Sequence, residues 1–162
     1  GYAVYRTDKY FGVIDTDGKS VIPANYCYIS SCSDGKFIAI DKKYEQEVEK
    51  GEKEKVKIYV LDTKGKKLFE FSGGKYDDIS DPGFQDGYSG VAIKKDDKRC
   101  WGIINDKGEE VINFGKYKDM PVAEVLKKDP GYYSWMLAAE FPNNTKQVLT
   151  RIRLREFNKR SC

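Results

Sequence analysis

Histidine is absent from this 162-residue chain. That absence excludes Ser-His-Asp and Cys-His nucleophilic catalysis, imidazole acid–base chemistry and most zinc sites. Long apolar runs are missing too. No stretch approaches the roughly 18 residues of a membrane span, so no membrane partner is expected. No signal-peptide pattern opens the chain, which favours a cytoplasmic protein. The chain begins at Gly1 rather than Met, so an upstream segment is expected to have been trimmed. Cysteine is scarce: Cys27, Cys32, Cys100 and Cys162 are too few to frame a disulfide miniprotein. They are expected as reduced, half-buried thiols, with a Cys27–Cys32 bridge as the alternative. A four-cysteine zinc site is disfavoured by the distance of Cys100 and Cys162 from the first pair.

What is plentiful is aromatic surface and mixed charge. Twelve Tyr, eight Phe and two Trp suit cross-strand packing in β structure. The 29 basic and 26 acidic residues give a net charge of +3, unevenly placed. Residues 113–162 hold ten of the basic and five of the acidic side chains, net +5, and residues 1–112 hold the other 19 and 21, net −2. Attraction to a polyanion is therefore expected only from the last third.

Self-comparison reveals a repeat. Phe11-Gly12-Val13-Ile14-Asp15-Thr16-Asp17-Gly18, Ile58-Tyr59-Val60-Leu61-Asp62-Thr63-Lys64-Gly65 and Trp101-Gly102-Ile103-Ile104-Asn105-Asp106-Lys107-Gly108 align without gaps. Each joins an apolar strand to Asp or Asn and then to Gly three positions later, and an apolar pair returns at Val21-Ile22, Leu68-Phe69 and Val111-Ile112. The Asp or Asn opens a turn by bonding its own downstream backbone, and the Gly takes the left-handed position that closes a hairpin. A second half-unit follows twice, with Asp34-Gly35 and Asp86-Gly87 each leading into a further strand. One such unit cannot bury its own apolar face, so neighbours must stack.

The first unit, with Gly12, Ile14, Asp15, Gly18, Val21, Ile22, Pro23, Tyr26 and Asp34-Gly35, resembles a bacterial WG repeat. The third carries the Trp101-Gly102 pair that names that family. The second departs from it, with Ile58-Tyr59 in place of Trp-Gly and no proline after Phe69. The resemblance covers about residues 5–112, and it implies a binding or scaffolding protein with no shared catalytic site. Between the first two repeats, the alternation in Lys43-Tyr44-Glu45-Gln46-Glu47-Val48-Glu49 and the turn at Gly51 predict an elongated, charged hairpin.

After Ile112 the pattern turns helical. A basic, aromatic loop at residues 113–121 precedes one predicted helix over Val122–Lys128 and a second over Pro130–Glu140, with Pro130 in its first turn. A third is predicted from Asn143 or Asn144 to about Asn158. Phe114 to Lys118, Pro121 to Val125, Asp129 to Met136 and Thr145 to Arg155 resemble the C-terminal module of exodeoxyribonuclease X-like exonucleases. In those enzymes the catalytic carboxylates lie in a separate upstream domain. The resemblance therefore implies an accessory piece with a link to nucleic acid and without nuclease activity.

Two sets of candidate site residues follow. Lys116, Tyr117, Lys118, Arg151, Arg153, Arg155 and Lys159, flanked by Arg160, are candidates for phosphate contact and base stacking. The plainer alternative is a solvated helix face whose cations complement the helix dipole. Tyr26, Tyr28, Tyr76, Tyr88 and Trp101 are candidates for a groove along the repeats, against the alternative of cross-strand core partners. The acidic run Asp77, Asp78, Asp81 and Asp86 matches no cation-binding loop and reads as turn residues.

The sequence thus predicts an α+β fold: mainly antiparallel β-hairpin repeats over 1–112, and a basic helical module over 113–162 that caps them with two or three helices. The expected function is non-catalytic binding or scaffolding through the repeat surface, with another protein as partner and no cofactor or metal. The alternative is a nucleic-acid-binding accessory module acting through the basic C-terminal helix.

Overall fold

The computed structural model describes residues 1–80, 83–95, 97–112 and 115–138. It is an α+β fold of antiparallel strands in two sheets, followed by short helices. The first sheet is built from β1 (Tyr2–Arg6), β2 (Phe11–Asp15), β3 (Ser20–Ile29), β4 (Lys36–Asp41), β5 (Lys57–Asp62) and β6 (Lys67–Ser72), paired in that order. The second holds β7 (Asp78–Ile79), β8 (Tyr88–Lys95) and β9 (Lys98–Asn105).

The predicted hairpin turns repeat almost atom for atom. Asp15 Oδ1 accepts the Asp17 and Lys19 amides, at 3.0 and 2.9 Å. Asp62 Oδ1 accepts those of Lys64 and Lys66, at 2.8 and 2.9 Å. Asn105 Oδ1 accepts those of Lys107 and Glu109, both at 3.0 Å. Gly18, Gly65 and Gly108 then adopt φ of 76°, 77° and 77°, which a side chain would resist. Asp34-Gly35 and Asp86-Gly87 also match each other, all four with positive φ, as a two-residue hairpin turn requires.

One difference between the repeats divides the sheets. In the first, β3 runs on through Pro23, shifting register so that it pairs with β2 and then with β4. The second has Gly73-Gly74 there. The Gly73 amide donates back to Val56 O at 2.8 Å and that of Lys75 to Ser72 O at 2.9 Å. The chain turns away, and β7 starts a new sheet.

Packing follows the period-2 alternation of strands. On β4, Phe37 and Ala39 join a cluster with Val13, Ile22, Ile29 and Leu61. Ile38 faces the other way, into a cluster that includes Val60, Phe84, Val91 and Ile104 and so ties both sheets together. The two clusters are translates of each other: Val13, Ile29, Ala39 and Leu61 stand where Val60, Ile79, Val91 and Ile104 stand one repeat later.

The segment predicted as a charged hairpin is helical instead. Tyr44–Glu49 forms helix α1, and Lys53–Lys55 makes a 3-10 turn. Gly51, read from the sequence as a hairpin turn, ends this helix with φ 73°. Its amide donates to Val48 O and that of Glu52 to Glu47 O, at 3.0 and 2.8 Å, the pairing of a Schellman cap.

After β9 the chain folds back, with Val111 bridging to Pro121. Helices α2 (Val122–Lys128) and α3 (Pro130–Ala138) occupy the positions predicted for the first two helices. Val122, Val125, Tyr133 and Met136 bury Ile112, the counterpart of Ile22 and Phe69 in the third repeat. The predicted third helix, to about Asn158, lies outside the described residues.

Candidate binding surface

A cleft of about 300 Å³ lies between the sheets. Strand β3 supplies Tyr28 and its successor Ser30, α1 supplies Tyr44, and the approach to β7 supplies Tyr76, Asp77 and Asp78. Its floor is Ile38, Ile40 and Ile58, apolar residues of β4 and β5. Charge sits on the rim, where Lys53 Nζ lies 3.7 Å from Asp77 and Arg99 lies 3.0 Å from Asp78. The Asp77 carboxylate also accepts the Lys94 amide at 2.6 Å. These carboxylates are thus engaged as structural partners.

The five candidate aromatics do not share one groove. Tyr28 and Tyr76 line this cleft, and Tyr88 lines a second, shallower hollow with Gln85 and Ile103. Tyr76 is a core residue, 5% exposed. Its hydroxyl donates to Glu110 at 2.7 Å and its ring meets Phe71 edge-on. Tyr26 is half-buried edge-on to Tyr59, and burial together with the Asp41 carboxylate raises its hydroxyl pKa. Tyr28 and Trp101 are the exposed members, and Trp101 stands 50% open on β9.

Two residues that hold the repeats together carry no signal of chemistry in the sequence. Ser30 Oγ accepts the Ile38 amide at 2.9 Å, and Ser80 Oγ accepts the Gly90 amide at 3.0 Å. In return the Ser30 and Ser80 amides donate to Ile38 O and Gly90 O, at 2.9 and 2.8 Å. The Ile-Ser dipeptide at 29–30 and again at 79–80 is the only trace of this pairing. Adjacent repeats also lock turn to turn: the Gly87 amide donates to Asp34 Oδ2 at 2.8 Å, and Ser33 Oγ to Phe84 O.

In the C-terminal module, Lys116 and Tyr117 turn toward a single carboxylate. Lys116 Nζ and the Tyr117 hydroxyl lie 3.0 and 2.9 Å from Asp129 Oδ2, while Asp129 Oδ1 accepts the Tyr132 amide at 2.9 Å. That backbone bond, then Lys116 and Tyr117, hold the Asp129 pKa down at about 2. Asp129 therefore caps α3 from the position before Pro130. The Lys116 ammonium also lies over the Tyr117 and Tyr132 rings, at 4.8 and 5.1 Å. Lys118 is exposed, as is Trp135. Arg151, Arg153, Arg155 and Lys159 lie outside the described residues.

No helix among the described residues is long and apolar enough to cross a membrane. No curated protein and no solved structure matches the chain. The two modules read from the sequence are both matched by family models. The WG containing repeat matches residues 11–44 and 101–122, which takes in the first and third hairpins and leaves the divergent second one unmatched. Over residues 112–141, which include the Asp129 cage and both C-terminal helices, the chain is similar to the exodeoxyribonuclease X-like C-terminal region.

Proposed function

We propose that this repeat protein is a non-catalytic binding or scaffolding protein that engages a protein partner through its repeat surface. The observation that carries this reading is the cleft at the junction of two repeats. Its volume stands at the small end for ligand sites. Its tyrosine walls, apolar floor and charged rim suit one or two inserted side chains of a partner, as at an interface hot spot. The test is site-specific photo-crosslinking in cells, with a benzophenone amino acid at Tyr28 and, as control, at the exposed Lys107 on the third hairpin turn. The expected result is a discrete protein adduct from position 28 alone. Equal or absent adducts at both positions would overturn the reading.

The similarity to an exonuclease C-terminal region favours a second reading, a nucleic-acid accessory module. Lys118 and Trp135, both exposed, join the cationic candidates 151, 153, 155 and 159 in supporting it. Fluorescence anisotropy with single- and double-stranded DNA at two salt concentrations separates the readings. Nucleic-acid binding weakens steeply with salt and is expected to be lost in the triple variant Arg151→Glu, Arg153→Glu, Arg155→Glu. Absence of binding at low salt would retire it.

A further inference from the structure

We propose that the outer face of the β8–β9 hairpin is a stacking platform for single-stranded nucleic acid, with Trp101 taking a base and Lys94 and Arg99 taking adjoining phosphates. The argument starts from alternation. Successive side chains of a strand leave opposite faces. Val91, Ile93 and Ile104 belong to the core cluster between the sheets, so the residues between them lie on the other face. There the register sets Ala92 opposite Trp101 and Lys94 opposite Arg99. Trp101 and Arg99 therefore share that face, about 7 Å apart along the strand.

Trp101 is laid out for a flat partner. A Cβ placed on Gly90 would meet its Cε3 at 3.6 Å, so the ring lies over the sheet at a position that has no side chain. The residue is 50% exposed, which leaves the outer side of the ring to solvent. Among the described residues its indole N–H has no acceptor. A tryptophan held for packing alone buries most of its surface. A flat, half-open indole is the shape on which a nucleobase stacks.

Charge supplies the second half. Like charges directly opposite one another in a sheet cost stability, and Lys94 stands opposite Arg99 in that way. Their side chains are 60% and 64% exposed. Asp97 lies 3.5 Å from Lys94 and Asp78 lies 3.0 Å from Arg99, but exposed pairs of this kind hold a side chain only weakly. Residues 94–99 carry four basic and two acidic side chains, within a repeat region of net charge −2. The hairpin end is thus a cationic spot on an otherwise acidic body, and a phosphate backbone is the partner such a spot attracts. The chain's own residues 139–162 are a poor match for it, since their six basic and two acidic side chains give them the same sign.

A duplex presents base edges in its grooves, whereas a single strand can offer the face of a base to an aromatic ring. The platform shares the Arg99–Asp78 pair with the rim of the cleft. It uses neither the cleft's tyrosines nor the cations at 116–118 and 151–159, so each reading can fail without the others.

The probe is a fluorescein-labelled oligothymidylate of about 12 nucleotides, within the usual site sizes for single strands, with one central 5-iododeoxyuridine. It is titrated against the intact chain and then irradiated. Saturable binding that weakens with salt is expected, with the covalent adduct mapping to the peptide that contains Trp101. The same strand annealed to its complement is expected to bind more weakly. Trp101→Ala is expected to weaken binding by about tenfold or more, the loss of one stacked base. Lys94→Gln with Arg99→Gln removes two phosphate contacts, so the slope of log K against log salt is expected to fall in magnitude by about 1.4. Adduct mapping on the unsubstituted chain keeps the test decisive should Trp101→Ala unfold. The triple variant Arg151→Glu, Arg153→Glu, Arg155→Glu is expected to retain the Trp101 adduct, and its loss there would pass the site to the tail and overturn the assignment. So would absence of saturable binding at low salt, an adduct at Trp135 in place of Trp101, or tighter binding of the duplex.

Discussion

Single residues do work here that composition hides. Ser30 is 5% exposed, and its oxygen accepts the buried Ile38 amide. Ser30→Ala leaves that donor unsatisfied, so a loss of about 1–3 kcal/mol in urea-denaturation stability is expected. The sequence could not reveal this, because an isolated serine after a strand looks like any loop serine and only its recurrence after Ile79 distinguishes it. The cysteines were more legible as free thiols. Cys27 and Cys32 are both unbridged, the first half-buried and the second exposed. Burial, then the Glu45 and Asp41 carboxylates, push the Cys27 thiol up to about 11. A raised thiol pKa keeps the thiolate scarce below that value. Iodoacetamide at pH 8 is therefore expected to label Cys32 and spare Cys27, with Cys27 labelling rising only as the pH approaches 11. Peptide mass mapping reads the two sites separately.

At the scale of elements, the hairpins were legible because their turns depend on two residue types at a fixed offset, and nothing tertiary competes. Helix α1 was not. Glutamates at alternate positions imitate an exposed strand, while the deciding feature, a left-handed Gly51 satisfying two carbonyls at a helix end, is a bonding pattern and not a periodicity. The equivalent turns also differ in their neighbours, which yields a graded expectation. Gly18→Ala meets only backbone strain, about 1–2 kcal/mol. Gly65→Ala meets the same strain and a Cβ only 2.8 Å from the Val21 carbonyl oxygen, adding about 1–3 kcal/mol of overpacking. Urea denaturation of the two variants side by side measures the difference, and equal losses would show that the second turn is not pressed against the first repeat. The basic face at 116–118 was legible as charge but not as a cage, since Asp129 approaches Lys116 and Tyr117 only when α3 packs back.

Across the whole molecule, one cluster joins the two sheets and couples their stability. Phe84, 1% exposed, belongs to it with Ile38 and Val60 from the first sheet and Val91 and Ile104 from the second. Phe84→Ala is expected to cost about 3–5 kcal/mol, a large share of the roughly 5–15 kcal/mol that holds a domain folded. Native-state hydrogen exchange is expected to show amides of β5 and β8 losing protection together; loss in β8 alone would mean that the sheets unfold separately. Stacking itself was legible in the sequence, since three hairpins with one apolar face each must cover one another. Which ends are covered was not. Ile112 lies under Val122, Val125, Tyr133 and Met136, whereas its counterparts Ile22 and Phe69 receive the next repeat's glycine turn. Among the described residues the stack therefore has a direction. Helices α2 and α3 lie over the third return strand, so a fourth hairpin would have to displace them to join that face.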